Sequence, residues 1–438
     1  MIFEQLLHET DIPKMIPVQY HIKMGSVTAE QIPGIIREEL EKQNLLERIE
    51  AGKTVAITGG SREICNIDVI LRSLINLLKE RRAEPFIFPA MGSHGGANAE
   101  GQKEILAGYG ITEEAMGVPV KASMDTVVLG KSPKGLEVHF DKYAYEADYI
   151  IPVGRVKPHT DFRGKIESGL MKMLTIGCGK QHGANICHTL GFPMMAENVT
   201  EIARVILEKR NIPFGIAVVE DAFHGTYKIK ALPGERIEQE EELLLLEAKT
   251  LIPGIPFKKI DVLVLDEIGK DISGAGMDPN VTGRSSMLGR WQPYVERIVV
   301  LDLSDKSHHN GCGIGSADIT TQRFFEKVDF ETSYPNAITS HDPGSMRIPP
   351  VLPNDRCAVK MALQTCMEND RDSGYRVVWM KNTLHMEHFY ISEALLAEAD
   401  ENPQISIQGE MREVPFDEEG NVPWLKPAVK PYGLHGNL

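Results

Sequence analysis

The sequence is poor in cysteine and in positive charge. Its six cysteines are scattered over 438 residues without a Cys-x-x-Cys pair, which excludes the disulfide framework of a small secreted domain. Lys and Arg number 47 against 62 Asp and Glu, a formal charge of −15, and this disfavours general affinity for nucleic acid or anionic membranes. We therefore expect reduced thiols and neither nucleic-acid nor membrane partners.

Long apolar runs are also missing. Acids and prolines interrupt the first 20 residues, so we expect neither a signal peptide nor a membrane anchor, and a cytoplasmic location. Hydrophobic residues make up 42% and charged residues 25% of the chain, values typical of globular proteins. At ~150 residues per domain, the length favours two or three domains.

Several nucleotide and hydrolase motifs are absent. The sequence has no G-x-x-x-x-G-K-[ST] loop and no G-x-S-x-G elbow, which argues against a P-loop enzyme and an α/β-hydrolase. The run Gly-Cys-Gly-Ile-Gly at 311–315 follows a strand pattern. Its G-x-G-x-G spacing, without a ribose-binding acid about 20 residues on, is more typical of a tight turn than of a dinucleotide site.

What the first half does contain is an alternation of strand and helix patterns. Apolar runs at 53–58 and 85–90 each lead into a glycine-containing turn, and helical patterns follow at 67–82 and 99–108. A third apolar run stands at 149–153. This order predicts an α/β fold with a doubly wound first half.

The α/β pattern continues on both sides of a break at 252–256. Before the break, helical patterns at 196–210 and 236–251 flank a strand at 214–221, and the break itself is the segment Ile-Pro-Gly-Ile-Pro. Buried strands are predicted beyond it at 260–267, 297–303 and 375–381, with a helix near 357–367. We take this break as the boundary between an N-terminal α/β domain at 1–254 and a C-terminal α/β domain at 255–438.

Ligands of open α/β sheets gather at the carboxyl ends of the strands. Segments 59–62, 92–96, 155–180 and 269–284 follow strand patterns and are expected there. Arg62 is either an ordinary surface residue or an anion ligand, and the second is favoured because arginine suits a helix start only beside an anion. His94, in Gly-Ser-His-Gly-Gly, and His159 follow two of the strands, and together they suggest paired general bases.

The segment 155–180 continues into further candidate residues. Lys172 has apolar neighbours, so it either extends its amine to solvent or performs covalent chemistry. Cys178, His182, Cys187 and His188 suggest a zinc site, but their spacing fits no usual zinc pattern.

These residues, taken jointly, resemble the lactate racemase family, whose members use a nickel pincer nucleotide. The resemblance is carried by Arg62, Gly-Ser-His at 92–94, His159, Ser-Gly-Leu-Met-Lys at 168–172 with Gly at 177, and His188 sixteen residues after Lys172. It covers most of the chain and implies two α/β domains with an active site in the cleft between them.

The resemblance also implies a role for each residue. His94 and His159 correspond to the paired acid/base histidines, and Arg62 to the arginine that binds the substrate carboxylate. Lys172 corresponds to the lysine tethered to the cofactor, pyridinium-3,5-bisthiocarboxylic acid mononucleotide nickel, and His188 to the axial nickel ligand. The activity implied is an isomerase that inverts C2 of a small-molecule 2-hydroxy acid, with cofactor-building enzymes as partners.

Three departures from the family pattern stand out. Gly59 occupies a place where the family commonly has an acid, and the interval from His159 to Lys172 is longer, which requires an insertion within 160–166. The segment 271–280 lacks the Tyr, Gln and Lys of the family's lactate loop. We therefore expect a substrate larger than lactate, such as an aldonate, with Asn280 and Arg284 as polar contacts.

Two other functions remain open at this point. One is a nicotinamide-dependent 2-hydroxy acid dehydrogenase, which would need the dinucleotide fingerprint that the sequence lacks. The other is a non-catalytic cofactor or anion-binding protein that kept the fold.

Overall fold

The computed structural model describes residues 2–22, 25, 27–160, 162–189, 191, 194–368 and 373–425. Its contacts divide the chain into two compact units. The N-terminal unit comprises residues 23–251. The C-terminal unit combines residues 252–438 with residues 1–22, which contain helix α1 (Ile2–Leu6) and strand β1 (Met15–Tyr20).

The N-terminal unit alternates strands and helices. Its strands are β2 (Thr54–Gly59), β3 (Glu84–Pro89), β4 (Thr126–Lys131), β5 (Glu137–Asp141), β6 (Tyr149–Ile151), β7 (Val153–Arg155), β8 (Phe214–Glu220) and β9 (Thr226–Pro233). Its helices are α2 (Ile32–Glu41), α3 (Ile67–Glu80), α4 (Ala99–Gly108), α5 (Glu113–Met116), α6 (Lys142–Glu146), α7 (Leu170–Lys172), α8 (Lys180–His188), α9 (Met195–Lys209) and α10 (Ile237–Leu251). A π-helical turn, Met173–Gly177, connects α7 towards α8.

Two three-stranded sheets and a hairpin make up the β-structure of this unit. Strands β3-β2-β6 pair in parallel, β7-β8-β9 form the second sheet, and β4 pairs with β5. Pro152 separates β6 from β7, so the single strand predicted at 149–153 is two, because proline cannot donate to a ladder. Thr58 bridges the break, since its Oγ1 donates to the Val153 carbonyl at 3.1 Å and accepts from the Val153 N–H at 2.8 Å.

Apolar side chains of α2 and α3 pack with those of the two three-stranded sheets and form the core of the unit. On α3, Ile70, Leu71, Leu74 and Leu78 are fully buried. Their helical spacing explains why the helix pattern beginning at residue 67 could be predicted from the sequence.

The C-terminal unit is built on one large sheet. Its remaining strands are β10 (Lys259–Ile268), β11 (Arg284–Ser285), β12 (Gly289–Arg290), β13 (Tyr294–Leu303), β14 (Ile319–Thr321), β15 (Val351–Leu352), β16 (Val377–Met380), β17 (His388–Ser392) and β18 (Ile405–Ile407). Its remaining helices are α11 (Pro279–Thr282), α12 (Gln322–Lys327), α13 (Phe330–Thr339), α14 (Asp355–Gln364) and α15 (Leu396–Glu401).

The eight strands of the large sheet follow the order β15-β14-β13-β10-β16-β17-β1-β18. The first five are parallel, whereas β17, β1 and β18 join by antiparallel pairing. Strand β1 lies between β17 and β18, so residues 1–22 complete the C-terminal unit although they precede the N-terminal unit in sequence.

Both units are α/β, and the predicted fold class is confirmed. Among the described residues, none of the helices has both the length and the apolar character needed to cross a membrane.

Candidate active site

Loops at the carboxyl ends of neighbouring strands carry three of the predicted residues. Arg62 follows β2, His94 follows β3, and His159 lies four residues after β7. Strand β2 pairs in parallel with β3, and Thr58 bonds it to the start of β7. The predicted placement of these loops along one edge agrees with this strand order.

Lys172 is brought to the same edge by a short, tightly packed helix. It ends α7, and the π-helical turn that follows is a distortion frequent at functional sites. A Cβ built on Gly60 would lie 3.1 Å from the Met173 Cε, so the turn leading to Arg62 packs against the residue after Lys172. The Gly92 N–H donates to the Gly177 carbonyl at 3.4 Å, which joins the His94 loop to the π-helical turn.

The start of α7 is held by a buried carboxylate. The Glu241 Oε2 accepts the N–H groups of Leu170, at 2.6 Å, and Met171, at 3.1 Å. Burial raises the pKa of Glu241 to about 7, although these two hydrogen bonds oppose the rise. Glu241 was not singled out in the sequence because it is one of many acids in its helix.

His94 is an exposed residue that lies near positive charges. The protein atoms packed around its imidazole desolvate it and lower its pKa to about 4, and the charges of Arg62 and Lys172 lower the pKa further. The ring is therefore neutral at pH 7, the state in which an imidazole accepts a proton.

The positive charge of Lys172 also acts on His159. Burial lowers its pKa well below the usual value, and Lys172 is the first of several positive neighbours that add to this effect. The ring stacks on Phe162, with centroids 4.2 Å apart, and Phe162 also lies below the Lys172 amine, 5.8 Å from its Nζ. Lys172 is thus an electrostatic neighbour of both histidines.

The segment 160–166, where an insertion is expected, lies between two residues that pair with each other, and Asp161 within it lies outside the described residues. Lys157 and Ser168 exchange backbone hydrogen bonds of 3.0 and 3.2 Å at its base. Inside the loop, the buried Glu167 accepts the His159 N–H at 2.7 Å and pairs with Lys249 at 2.7 Å. The sequence analysis missed Glu167, whose only sequence signal is its position between the predicted site residues.

His188 ends α8 and contributes to the electrostatics of His159. Its Nδ1 lies 2.6 Å from the Ala184 carbonyl oxygen. A carbonyl oxygen can only accept, so Nδ1 carries the proton, and the lone pair of the neutral ring is on Nε2. This is the tautomer that metal-ligating histidines adopt.

Arg62 lies near other positively charged side chains, among them Arg155. Burial lowers the pKa of Arg62 and Arg155 lowers it further, while Tyr109 has the opposite effect. Arg155 is itself paired with Glu220, whose second oxygen accepts the Cys65 N–H at 2.7 Å. A cationic, partly desolvated cluster of this kind suits an anionic ligand.

The acid that the family commonly places three residues before the arginine has no room here. A Cβ on Gly59 would lie 2.7 Å from the Leu106 Cδ2, and the Gly59 carbonyl accepts the Ala90 N–H at 2.8 Å. Glycine therefore lets β2 approach α4 closely.

The two residues predicted in the C-terminal unit have different surroundings. Arg284 is 7% exposed, forms an ion pair with Asp318 and donates to the carbonyls of Val295 and Glu296, at 2.7 and 3.0 Å. Because these bonds engage its guanidinium inside the unit, we assign Arg284 a structural role and drop it from the proposed substrate contacts. Asn280 is half-buried, and its Nδ2 donates to the Asp278 Oδ1 at 2.9 Å.

Glycines of the C-terminal loops serve backbone packing. A Cβ on Gly276 would lie 2.5 Å from the Cys312 carbonyl oxygen, and one on Gly313 would lie 2.0 Å from that of Ala275. The Gly-x-Gly-x-Gly run is thus explained by two loops in contact. The space beside Gly276 is filled by the main chain at Cys312, so this glycine does not enlarge a substrate pocket.

The zinc arrangement considered for residues 178–188 finds no support in side-chain geometry. Within the part of the chain that the structure describes, no three His, Cys, Asp or Glu side chains group so that they could hold a metal ion. Burial raises the pKa of Cys178, and it raises that of Cys187 to about 12, so both thiols stay protonated.

Comparison with known proteins supports the fold class and the family resemblance. A family model described as the lactate racemase N-terminal domain matches residues 7–197. No curated protein sequence matches the chain.

Among solved structures, the chain is similar to the lactate racemase apoprotein from Thermoanaerobacterium thermosaccharolyticum. The TM-score is 0.53 at 14% sequence identity, and the match covers 84% of this chain and 98% of that protein. This likeness shows a shared fold. Together with the family match over residues 7–197, it confirms the resemblance inferred from the sequence.

Proposed function

We propose that the chain is an isomerase that inverts C2 of a 2-hydroxy acid, with a nickel pincer nucleotide held by Lys172 and His188. The observation that carries the proposal is geometric: the Gly92 N–H in the His94 loop donates to the Gly177 carbonyl of the turn that follows Lys172, and the Phe162 ring that stacks on His159 lies 5.8 Å from the Lys172 Nζ. Inversion through a planar keto acid requires one acid/base group for each face, and this edge of the N-terminal unit supplies two beside a single lysine.

The residues present fit such a cofactor. Lys172 is half-buried beside an aromatic ring, and its amine could form the tether. His188 has the tautomer that leaves the Nε2 lone pair for nickel, a metal that imidazole suits. The surrounding excess of positive charge would stabilise the nucleotide phosphate.

The chemistry divides between the cofactor and the protein. When bound, the nickel pincer nucleotide would supply the hydride acceptor that interconverts the hydroxy acid and the keto acid. Arg62 binds the substrate carboxylate and fixes its orientation. Both rings are neutral before substrate binds, so one histidine takes the hydroxyl proton of one enantiomer and the other serves the opposite enantiomer. The proton returned to the carbonyl oxygen is the one taken in the first step, passed through water between the two rings, so that no net proton is gained or lost.

We further propose a substrate larger than lactate, such as an aldonate, with Asn280 as a polar contact. What supports this is the lack of Tyr, Gln and Lys at 271–280, which removes the bulky side chains of the lactate loop. Rates with lactate, malate and gluconate test it, and a clear preference for lactate would refute it.

The cofactor assignment is tested by mass and metal content. Protein co-expressed with cofactor-building enzymes should gain the mass of the tethered nucleotide and bind about one nickel per chain. Lys172→Ala should lose the adduct, whereas His94→Ala and His159→Ala should keep it. An unchanged mass in the wild type under these conditions would overturn the assignment.

The reaction is tested with the loaded protein and C2-deuterated substrate in ordinary water. Hydride return should preserve deuterium at C2 of the inverted product, and His94→Ala or His159→Ala should each reduce kcat by ~10²-fold or more. Loss of the label to solvent would indicate proton abstraction at C2. Full activity in both histidine variants would refute the acid/base roles.

A further inference from the structure

A buried lysine outside the described chemistry lies behind the His94 loop. Lys180 is the first residue of α8 and is 0% exposed. Its Nζ donates to the Pro89 carbonyl at 2.5 Å and to the Gln102 Oε1 at 3.1 Å, and it lies 3.1 Å from the Asp141 Oδ2. The amine therefore makes two hydrogen bonds and one ion pair, all inside the protein.

Gln102 connects the Lys180 amine to the loop that carries His94. It is 0% exposed, and its Nε2 donates to the Gly92 carbonyl at 3.0 Å and to the His94 carbonyl at 3.2 Å. The loop also presses on the first turns of α4, because a Cβ on Gly95, whose φ is +65°, would lie 2.6 Å from the Gln102 N. Gln102 therefore holds the main chain of His94 itself.

The other side of Lys180 is equally fixed. Asp141 ends β5, is 0% exposed, and accepts the Ala144 N–H at 3.0 Å. Lys180 has a φ of +55°, a strained value for a residue with a side chain. Such a conformation persists where the surroundings determine it, and the two hydrogen bonds and the ion pair of the amine do so here.

Lys180 also begins the helix that ends at His188. The amine thus joins two parts of the proposed site, the His94 loop through Gln102 and helix α8 through its own backbone. Its full burial, its two hydrogen bonds and its ion pair rule out contact with substrate in this arrangement.

We propose that Lys180, acting through Gln102, is a positioning residue that sets the place of His94 relative to helix α8. The catalytic consequence rests on the proposed function, whereas the effect on His94 is a property of the protein without cofactor. A merely structural ion pair would stabilise the fold without controlling the His94 ring.

Gln102→Glu separates these two roles. The carboxylate keeps an acceptor for the Lys180 amine but cannot donate to the Gly92 and His94 carbonyls. Lys180→Met removes the whole contact. Lys327→Met is the matched control, since Lys327 is also buried and pairs with Asp302 at 3.0 Å in the C-terminal unit.

The readouts are the His94 pKa from an NMR titration of the cofactor-free protein and the rate of His94 modification by diethylpyrocarbonate, followed by peptide mass spectrometry. Gln102→Glu should raise the pKa of His94 by about one unit or more and speed its modification about tenfold at pH 6, because a released loop lets the ring move away from the packed atoms and from the charges of Arg62 and Lys172. Lys180→Met should act in the same direction. Lys327→Met should lower Tm without either effect.

If His94 in Gln102→Glu keeps the pKa and the modification rate that it has in the wild type, the proposal is overturned, even if Lys180→Met fails to fold. In loaded protein, Gln102→Glu should lower kcat ~10-fold to 10²-fold with a smaller change in KM, as a misplaced base does. If the wild type shows no isomerase activity while the His94 effects appear, the proposed function fails and the positioning role stands.

Discussion

His94 shows how its surroundings convert an ordinary side chain into a base that is neutral over a wide pH range. Desolvation and two neighbouring cations act in the same direction on its pKa. The effect depends on Arg62 and Lys172 folding next to the ring, although they lie 32 and 78 positions away in the sequence.

This arrangement predicts a pH dependence for the cofactor-free protein. The pKa of His94 is about 4 when folded, against 6.5 for an ordinary histidine, so the unfolded chain binds more protons between these values. The contribution of His94 to stability is therefore fully present above pH 6.5 and is lost as the pH falls towards 4. Denaturant unfolding of the wild type and His94→Gln at several pH values checks it: their difference should change across this window and be constant above it.

Lys172 provides a matched test of the charge effect. Lys172→Met removes one positive neighbour and keeps most of the side-chain volume, so the pKa of His94 should rise towards its ordinary value in an NMR titration. Lys121→Met, which removes a lysine amine lying over Phe86, should leave it unchanged. An unmoved His94 pKa in Lys172→Met would show that burial and Arg62 set the value without Lys172.

Gly59 gives a second prediction at the residue scale. Gly59→Ala should destabilise the N-terminal unit by about 1–3 kcal/mol, because its Cβ would lie 2.7 Å from the Leu106 Cδ2. Leu106→Ala removes that contact, so the double variant should lose less stability than the sum of the single variants. Additive losses in urea unfolding would mean that β2 and α4 shift apart instead.

At the scale of elements, the helix that carries Lys172 depends on a side chain from α10. Glu241→Leu leaves the Leu170 and Met171 N–H groups without their acceptor and should cost about 1–3 kcal/mol for each. Glu241→Gln keeps an acceptor and should cost much less. Urea unfolding measures both, and equal losses would show that packing rather than hydrogen bonding holds α7.

The stabilities of the wild type and Glu241→Gln should depend differently on pH. The pKa of Glu241 is about 7 when folded and 4.5 for an ordinary glutamate, so the folded state binds more protons between these values. The wild type should lose stability as the pH rises from 4.5 to 7, by on the order of 3 kcal/mol, whereas Glu241→Gln should not. The stability of the variant relative to the wild type should therefore increase with pH.

At the scale of the whole molecule, the two units are not two consecutive stretches of chain. Strand β1 pairs with β17 and with β18, so removing residues 1–22 leaves β18 without its partner strand. The sequence-based division at 254 lies close to the chain crossing at 251–252 but assigns these first residues to the other domain.

We expect deletion of residues 1–22 to weaken the C-terminal unit selectively. Hydrogen exchange should accelerate at 388–392 and 405–407, while α3 and strands β2 and β3 of the N-terminal unit keep their protection. Gln19→Ala is a suitable control, since it leaves the main-chain ladder of β1 in place. Uniform loss of protection in both units would contradict the division.

Local patterns were sufficient for several of the longer elements. Helix α3 and strands β8 and β10 could be predicted because each buries a continuous apolar face or run, which is visible within a few turns or strand repeats. Strand β1 was not predicted, since prolines and polar residues surround it and its pairing partners lie more than 350 positions away.

The sequence by itself determined the α/β class, the order of the strand-end loops, and the residue types of the family resemblance, because these depend on neighbouring positions and spacing. Only the tertiary structure decided that Lys172 acts on both histidines, that Arg284 is engaged in an internal ion pair, and that Glu241, Glu167 and Lys180 support the loops around them. Burial and charge act through space between residues distant in sequence, so no local pattern could reveal them.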